Sequence, residues 1–315
     1  MSTLPDLEHI RDAAARIAPY AAVTPVLRSA RLDALAGAEL HFKCENLQRG
    51  GAFKFRGACN AVWSLDDAQA ARGVVTHSSG NHGNALAMAA ATRGIPAHVV
   101  VPEGAVRAKL EAIERAGAVL HRCAPTQAAR EAAAAEVQRQ TGAELVHPYA
   151  DARVMAGQGT LVLELVRQVE GLQALITPVG GGGLGAGCAI AAHGLDPDIA
   201  MYGAEPAGAD DAARSLARGT RVADFHPDTV CDGLRALIGE PNLDALRAHR
   251  THIVTVTDEE AIAAMKLLWQ ELKQVVEVSS ATVLAAVLKQ PEHFSGRRVG
   301  LVLSGGNVDL DTLPW

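Results

Sequence analysis

Short β-branched runs alternate with longer helical patterns along this chain, the signature of a parallel α/β sheet. Six runs carry the strand signal: VVTHS (74–78), HVVVP (98–102), ALITPV (174–179), MYGAEP (201–206), HIVTVT (252–257) and VGLVLSG (299–305). A helix is predicted from Asn81, closed by Gly94 and Pro96 as C-cap and stop. Two more are predicted over AVRAKLEAIERA (105–116) and DEEAIAAMKLLWQEL (258–272), the second with Thr257 as N-cap ahead of an acidic first turn. No internal repeat, low-complexity tract or long Pro/Gly linker marks off independent domains. Two lobes made by an excursion of the chain out of one sheet and back fit this pattern.

Composition narrows the picture. The 315 residues are enough for a large core, and 49% hydrophobic with 20% charged residues describes a soluble globular chain. Aromatics are only 3%, so the core must be built mostly from Ala, Val and Leu. A net charge of −6 with no offsetting basic block argues against a nucleic-acid or membrane partner. No apolar stretch reaches spanning length, and MSTLPDLEHIRDAAARI carries charges throughout with no apolar secretory core. The five cysteines are scattered and include no CxxC pair, which fits reduced thiols. The expected compartment is the cytoplasm.

Candidate chemistry lies in the glycine loops and one lysine. PVGGGGLGAG (178–187) follows an apolar strand and precedes the helical run CAIAAHGL (188–195). Glycines at such a turn let backbone N–H groups approach a phosphate or carboxylate, and the helix N-terminus adds favourable partial charge. No GK[ST] follows, so this is not a Walker loop, and no acidic ribose ligand supports a dinucleotide fingerprint. A tight turn alone remains the bland reading. THSSGNHGN (76–84) also joins a strand to a helix; it is either a carboxylate grip or an N-cap with Ser and Asn in preferred places. Lys54 sits between Phe53 and Phe55 at the start of a predicted helix, where its ammonium form is disfavoured; an ordinary surface lysine is the competing reading. EPAGADD (205–211) reads as a helix start with acidic residues in its first turn. His77, His82 and His147 have no metal-ligand spacing.

GAFKFRG (51–57), SSGNHGN (78–84), the tetraglycine loop, AEPAGADD (204–211) and SGGNVDL (304–310) occur in the order and spacing of the fold-type-II pyridoxal-phosphate enzymes. From about Thr24 to the C-terminus the chain resembles the group containing serine racemase, serine and threonine dehydratases and 3-hydroxyaspartate dehydratases. HPYADARVMAGQGT (147–160) and the ending GGNVDLDTLPW (305–315) look most like the hydroxyaspartate enzymes. The resemblance implies an α/β, tryptophan-synthase-β-like fold of two lobes, each with a mostly parallel sheet flanked by helices. Residues 1–72 and 151–315 would form a large cofactor-binding domain and 73–150 a small one. It implies a dehydratase (ammonia-lyase) that removes water from a β-hydroxy amino acid, 3-hydroxyaspartate first among them, to give a 2-oxo acid and ammonia. L-serine, L-threonine or phenylserine dehydration, with serine racemisation, is the alternative. A homodimer is implied as well.

The same resemblance assigns roles. Lys54 holds pyridoxal phosphate as a Schiff base and acts as base at Cα, beside Phe53. Gly180, Gly181, Gly182 and Gly183 bind the cofactor phosphate, Asn81 meets its phenolic oxygen, and Ser304 faces its ring nitrogen. Ser78, Ser79, Gly80, Asn81 and His82 hold the substrate carboxylate. Ser79 is also the second acid/base of racemising members. Arg130, in PTQAAREA (125–132), approaches the substrate side chain. Glu205, the carbonyl of Ala209 and Asp211 match a site for Mg²⁺, Mn²⁺ or Ca²⁺, which two carboxylates and a carbonyl can serve with waters. Ala52, Asn84 and Val278 depart from the family pattern, and each bears on substrate choice. A non-catalytic binder of a phosphorylated ligand at the tetraglycine loop is the competing class of function.

Overall fold

The structure is a computed structural model that describes residues 4–105 and 107–315. Met1–Thr3 of the N-terminal segment and Val106 of the predicted helix 105–116 lie outside the described residues. The strands are β1 (Val26–Leu27), β2 (Glu39–Cys44), β3 (Val74–Thr76), β4 (Ala97–Pro102), β5 (Val119–Cys123), β6 (Glu144–Leu145), β7 (Ala174–Pro178), β8 (Ala200–Pro206), β9 (His252–Val256) and β10 (Arg298–Leu303). They form two sheets, a six-stranded one ordered β1-β2-β10-β7-β8-β9 and a four-stranded one ordered β5-β4-β3-β6. Neighbours are parallel throughout except β1 against β2. The α/β, two-lobed architecture with mostly parallel sheets and flanking helices is therefore present.

Burial on both faces explains why β3, β4, β7, β8 and β10 read as near-continuous apolar runs, while β9, at the sheet edge, buries only Val254 and Val256. In β10, Val299, Leu301 and Leu303 face a core closed by helices Asp258–Leu272 and Val278–Lys289, while Val302 faces helices Ala152–Gln168 and Gly183–Leu195. In β4, Val99 and Val101 pack toward helices Lys54–Trp63 and Asn81–Arg93, and Val100 faces helix Gln127–Thr141. Thr257 caps the helix it was expected to cap, in a reciprocal box with Glu260. Gly94 ends helix Asn81–Arg93 in the left-handed conformation. All five cysteines are free. No helix among the described residues is long and apolar enough to cross a membrane.

The strands without a sequence signal are β1 and β6, each two residues long, and β2 and β5, whose polar residues interrupt the apolar run. In β2 the interruption is Lys43, fully buried in a network of four charges. Arg56 donates to Glu45 from Nε and Nη2 at 2.8 Å each, and to Glu164 from Nη1 at 2.7 Å and Nη2 at 2.9 Å. Lys43 reaches Glu164, the Thr24 carbonyl at 2.8 Å and Gln168. The Thr24 hydroxyl donates to Glu45 at 2.6 Å. Burial pushes Glu164 upward, but hydrogen bonds and charge from Arg56 and Lys43 outweigh it and hold the carboxyl below its usual range. The network ties residues 22–24, β2 and helix Ala152–Gln168 to helix Lys54–Trp63. The last two cross where Gly57 meets Gly157; a Cβ on Gly157 would lie 2.6 Å from the Gly57 Cα.

Removing one member of such a network leaves uncompensated buried charge. Arg56→Met is expected to destabilise the fold by about 3–5 kcal/mol in urea unfolding, because Glu45 loses a bidentate partner. A loss below about 1 kcal/mol would show that the network is dispensable.

Candidate active site

Helices Lys54–Trp63, Asn81–Arg93 and Gly183–Leu195 begin at the walls of one cavity of about 860 Å³, and none of the three is capped by a side chain. A helix start leaves N–H groups unpaired and carries partial positive charge, so the starts at Asn81 and Gly183 are anion-binding ends. At Lys54, by contrast, the Phe55, Arg56 and Gly57 amides already have acceptors. Other helices of this chain are capped by Asp66, Thr126, Asp151 and Thr257, although Glu240–Ala248 and Val278–Lys289 also lack a side-chain cap.

The tetraglycine loop leads from β7 into helix Gly183–Leu195. Its glycines are required by what lies behind them. A Cβ on Gly181 would lie 2.5 Å from the Tyr149 ring, and one on Gly182, at φ +84°, would collide with Ile238 Cδ1. The Gly181 carbonyl is held from behind by Asn242 Nδ2 at 2.5 Å and by the Gly239 amide at 3.1 Å. None of the Gly180–Gly183 amides has an acceptor among the described residues.

Lys54 is the first residue of its helix. Its Nζ donates to the Pro148 carbonyl at 2.8 Å and sits 5.1 Å from the centre of the Phe53 ring. Burial lowers the amine to about 8, against the opposing charge of Glu277. A substantial neutral fraction near pH 7–8 is what a nucleophilic amine needs. Ser304, at the end of β10, accepts the Phe53 N–H on its carbonyl at 2.9 Å, which places it beside Lys54 on the cavity wall.

Ser78, Ser79, Gly80, Asn81 and His82 line the same cavity. His82 Nε2 lies 3.4 Å from the Val146 carbonyl, while its Nδ1 is buried without a partner among the described residues. Burial and the nearby Lys54 charge push His82 well below the usual histidine range; burial likewise lowers His147 to about 4. Burial thus disfavours the charged form of both rings. Arg130, on the first turn of helix Gln127–Thr141, lines the same cavity, and its Nε is buried with no partner among the described residues.

The site residues expected from the sequence thus converge, apart from Glu205, Ala209 and Asp211, which are not part of the cavity lining. Glu205, at the end of β8, accepts the Ala212 and Ala213 amides at 3.0 and 2.9 Å, so this residue caps helix Asp211–Arg218 rather than Asp210. Asp211 accepts the Ile238 amide at 2.7 Å. Burial pushes Glu205 well above the carboxylate range and Asp211 up to about 6. No cluster of three or more His, Cys, Asp or Glu placed to hold a metal occurs among the described residues.

Sequence reasoning did not place Tyr149, Glu277 or Asn307 in the site, yet all three line it. Glu277 accepts from Asn81 Nδ2 at 3.3 and 3.2 Å, and Asn307 donates to Asn81 Oδ1 at 3.0 Å. The available signals were slight: an acid set among valines in VVEV (275–278), and an asparagine already inside SGGN (304–307).

The donor set suits pyridoxal phosphate. Unpaired glycine amides at a helix start match its phosphate, the buried amine its aldehyde, and the neutral hydroxyl of Ser304 its ring nitrogen.

Comparison with known proteins agrees. The family described as "Pyridoxal-phosphate dependent enzyme" matches residues 17–305. A beta-hydroxyaspartate dehydratase of Paracoccus denitrificans (strain Pd 1222) is 49% identical over 99% of this chain and 99% of its own. Maize serine racemase superposes with a TM-score of 0.95 at 43% identity, covering 99% of this chain and 96% of that one. A serine racemase from Dictyostelium discoideum does so with a TM-score of 0.93 at 47% identity, covering 97% and 99%. With this cavity, these glycine loops and relatives matched end to end, the chain belongs to the pyridoxal-phosphate dependent enzymes of fold type II.

Proposed function

We propose that the protein is a dehydratase (ammonia-lyase) that converts 3-hydroxyaspartate to a 2-oxo acid and ammonia. The observation that carries this reading is Arg130, which lines the cavity and whose buried Nε has no partner among the described residues. An unpaired buried donor of this kind is satisfied by an anionic group, and a second substrate carboxylate supplies one with fixed geometry. The similarity to the Paracoccus denitrificans enzyme supports the same choice.

When bound, pyridoxal phosphate supplies an electrophilic carbon for the Lys54 amine and a ring that withdraws charge from the substrate Cα. The chain does the rest. Gly180–Gly183 hold the phosphate through backbone amides, Phe53 packs beside Lys54, Asn81 faces the phenolic oxygen, and Ser304 the ring nitrogen. Ser78, Ser79, Gly80 and the amides of Asn81 and His82 hold the α-carboxylate at the uncapped helix start. Lys54 Nζ takes the Cα proton. The β-hydroxyl leaves with a proton as water. The released enamine tautomerises and is hydrolysed by a second water to the oxo acid and ammonia. Ser79, on the loop facing Lys54, would serve the opposite face of Cα in any racemisation. Residues 73–150 act in this reading as a small domain against 1–72 and 151–315. A homodimer in the cytoplasm completes it: five free thiols suit a reducing compartment, and a second copy would cover exposed apolar residues such as Val23 and Val275.

A divalent cation, Mg²⁺, Mn²⁺ or Ca²⁺, at Glu205, Asp211 and the Ala209 carbonyl belongs to the same proposal. Two buried carboxylates held above their usual range call for a counter-charge, and a cation supplies it. Asp211 also holds the Ile238 amide, and the Ile238 side chain backs Gly182, so order at the cation reaches the phosphate loop.

Three outcomes are expected. Borohydride reduction followed by peptide mapping places the pyridoxyl group on Lys54; recovery on Lys43 would overturn the assignment. Chelation lowers the Tm of the wild type, since a ligand of the folded state alone stabilises it, and Asp211→Ala abolishes that response. Equal behaviour of both proteins with and without chelator would leave the acidic cluster as a helix cap only. Arg130→Ala lowers kcat/KM for 3-hydroxyaspartate by roughly tenfold to a hundredfold more than for serine, the value of a charge-assisted contact of about 1.5–3 kcal/mol. Equal losses for the two substrates would favour serine or threonine dehydration, a reading that likeness to a threonine deaminase of 41% identity also supports.

A further inference from the structure

Glu277 immediately precedes helix Val278–Lys289, at the position from which a side chain can bond the first N–H groups of its own helix. Its side chain makes no such capping bond. It turns instead to Asn81, whose Nδ2 lies 3.3 Å from one carboxylate oxygen and 3.2 Å from the other. The second contact of the Asn81 amide is on its other end: Asn307 Nδ2 donates to Asn81 Oδ1 at 3.0 Å and to the Gly50 carbonyl at 2.8 Å. Close approach of the carboxylate depends on Gly305, where a Cβ would lie 2.9 Å from Glu277 Oε1.

An ionised carboxylate only accepts, and a side-chain NH₂ only donates. A flipped Asn81 would therefore face oxygen with oxygen at Glu277 and nitrogen with nitrogen at Asn307. We propose that Glu277 and Asn307 are positioning residues that lock the Asn81 amide in one orientation, so that the second hydrogen on its Nδ2 is presented to the phenolic oxygen of the cofactor. The inference rests on the assignment of Asn81 to that oxygen and goes beyond it by naming what fixes the donor. The same carboxylate is the charge that counteracts burial at Lys54, so one group governs both the amine and the amide on this wall of the cavity.

The test uses the holoenzyme and pyridoxal phosphate itself, read by its absorbance, as both apparent Kd and position of the absorption maximum. Glu277→Gln is expected to raise the apparent Kd about tenfold and to displace the maximum, because the amide is then free to turn. Asn81→Ala should do the same, and adding Glu277→Gln to Asn81→Ala should raise the apparent Kd by much less than it does in the wild type, since coupled residues do not add. A structural role would leave the second loss intact in that background. Asn307→Asp, at an exposed position, presents an acceptor to Asn81 Oδ1 and should weaken cofactor binding more than Asn307→Ala. It provides a test even where Glu277→Gln fails to fold. Wild-type Kd and spectrum in Glu277→Gln, or equal and additive losses in the double variant, would overturn the proposal, and wild-type behaviour of Asn307→Asp would overturn its Asn307 half. An affinity and spectrum untouched by Asn81→Ala would sink the underlying Asn81 assignment, and the proposal with it.

Discussion

Four charges withdrawn from water, Lys43, Glu45, Arg56 and Glu164, hold together the elements from which everything else is measured. Two cations and two carboxylates balance, and their remaining hydrogen-bonding capacity goes to Thr24, Gln168 and the Ala22 carbonyl. Such a cluster is poor evidence of net stability, because desolvation offsets most of the attraction. Its geometric effect is firmer. Arg56 lies two residues after Lys54, and its fork admits few arrangements, so the register of the helix against its neighbours is fixed where the reactive amine begins. The Gly57–Gly157 crossing has the same effect by contact instead of charge.

From that anchor the cavity is built of backbone more than of side chains. Helix starts supply unpaired amides, and the side chains that would normally cap them are missing or redirected. Glu277 shows this most clearly: a residue in a capping position leaves its own helix and serves a neighbouring one. Histidines whose charged forms burial disfavours and a buried amine share the cavity with the Glu277 carboxylate and the Arg130 guanidinium. Anion affinity then comes from preorganised dipoles that need no rearrangement.

What was legible in the sequence follows the same division. Strands buried on both faces announced themselves as apolar runs, and β2 did not, because Lys43 is buried through its ion pairs and not through its own apolarity. Glycine loops stood out because an anion site at a helix start depends on local backbone, and the role of Lys54 came from the order of five motifs along the chain. Tyr149 and Glu277 were not, since each acquires its role from a partner far away in the chain, Gly181 for one and Asn81 for the other. Glu205 was singled out for its charge, while its bonds to the Ala212 and Ala213 amides depend on how β8 meets the following helix.

The helix that opens with Lys54 closes with Trp63. Nine rises of 1.5 Å put the Trp63 Cα about 13.5 Å along the axis from the Lys54 Cα. Trp63 is stacked on Tyr20 at 4.3 Å and lies beside Arg93, so its ring cannot turn freely. The other two tryptophans pack against each other, Trp269 on Trp315, elsewhere in the fold. A chromophore joined to Lys54 therefore has one indole held at fixed range and orientation on the same rigid rod. Energy passed from Trp63 to that chromophore makes the protein's own fluorescence a built-in gauge of whether the amine is occupied.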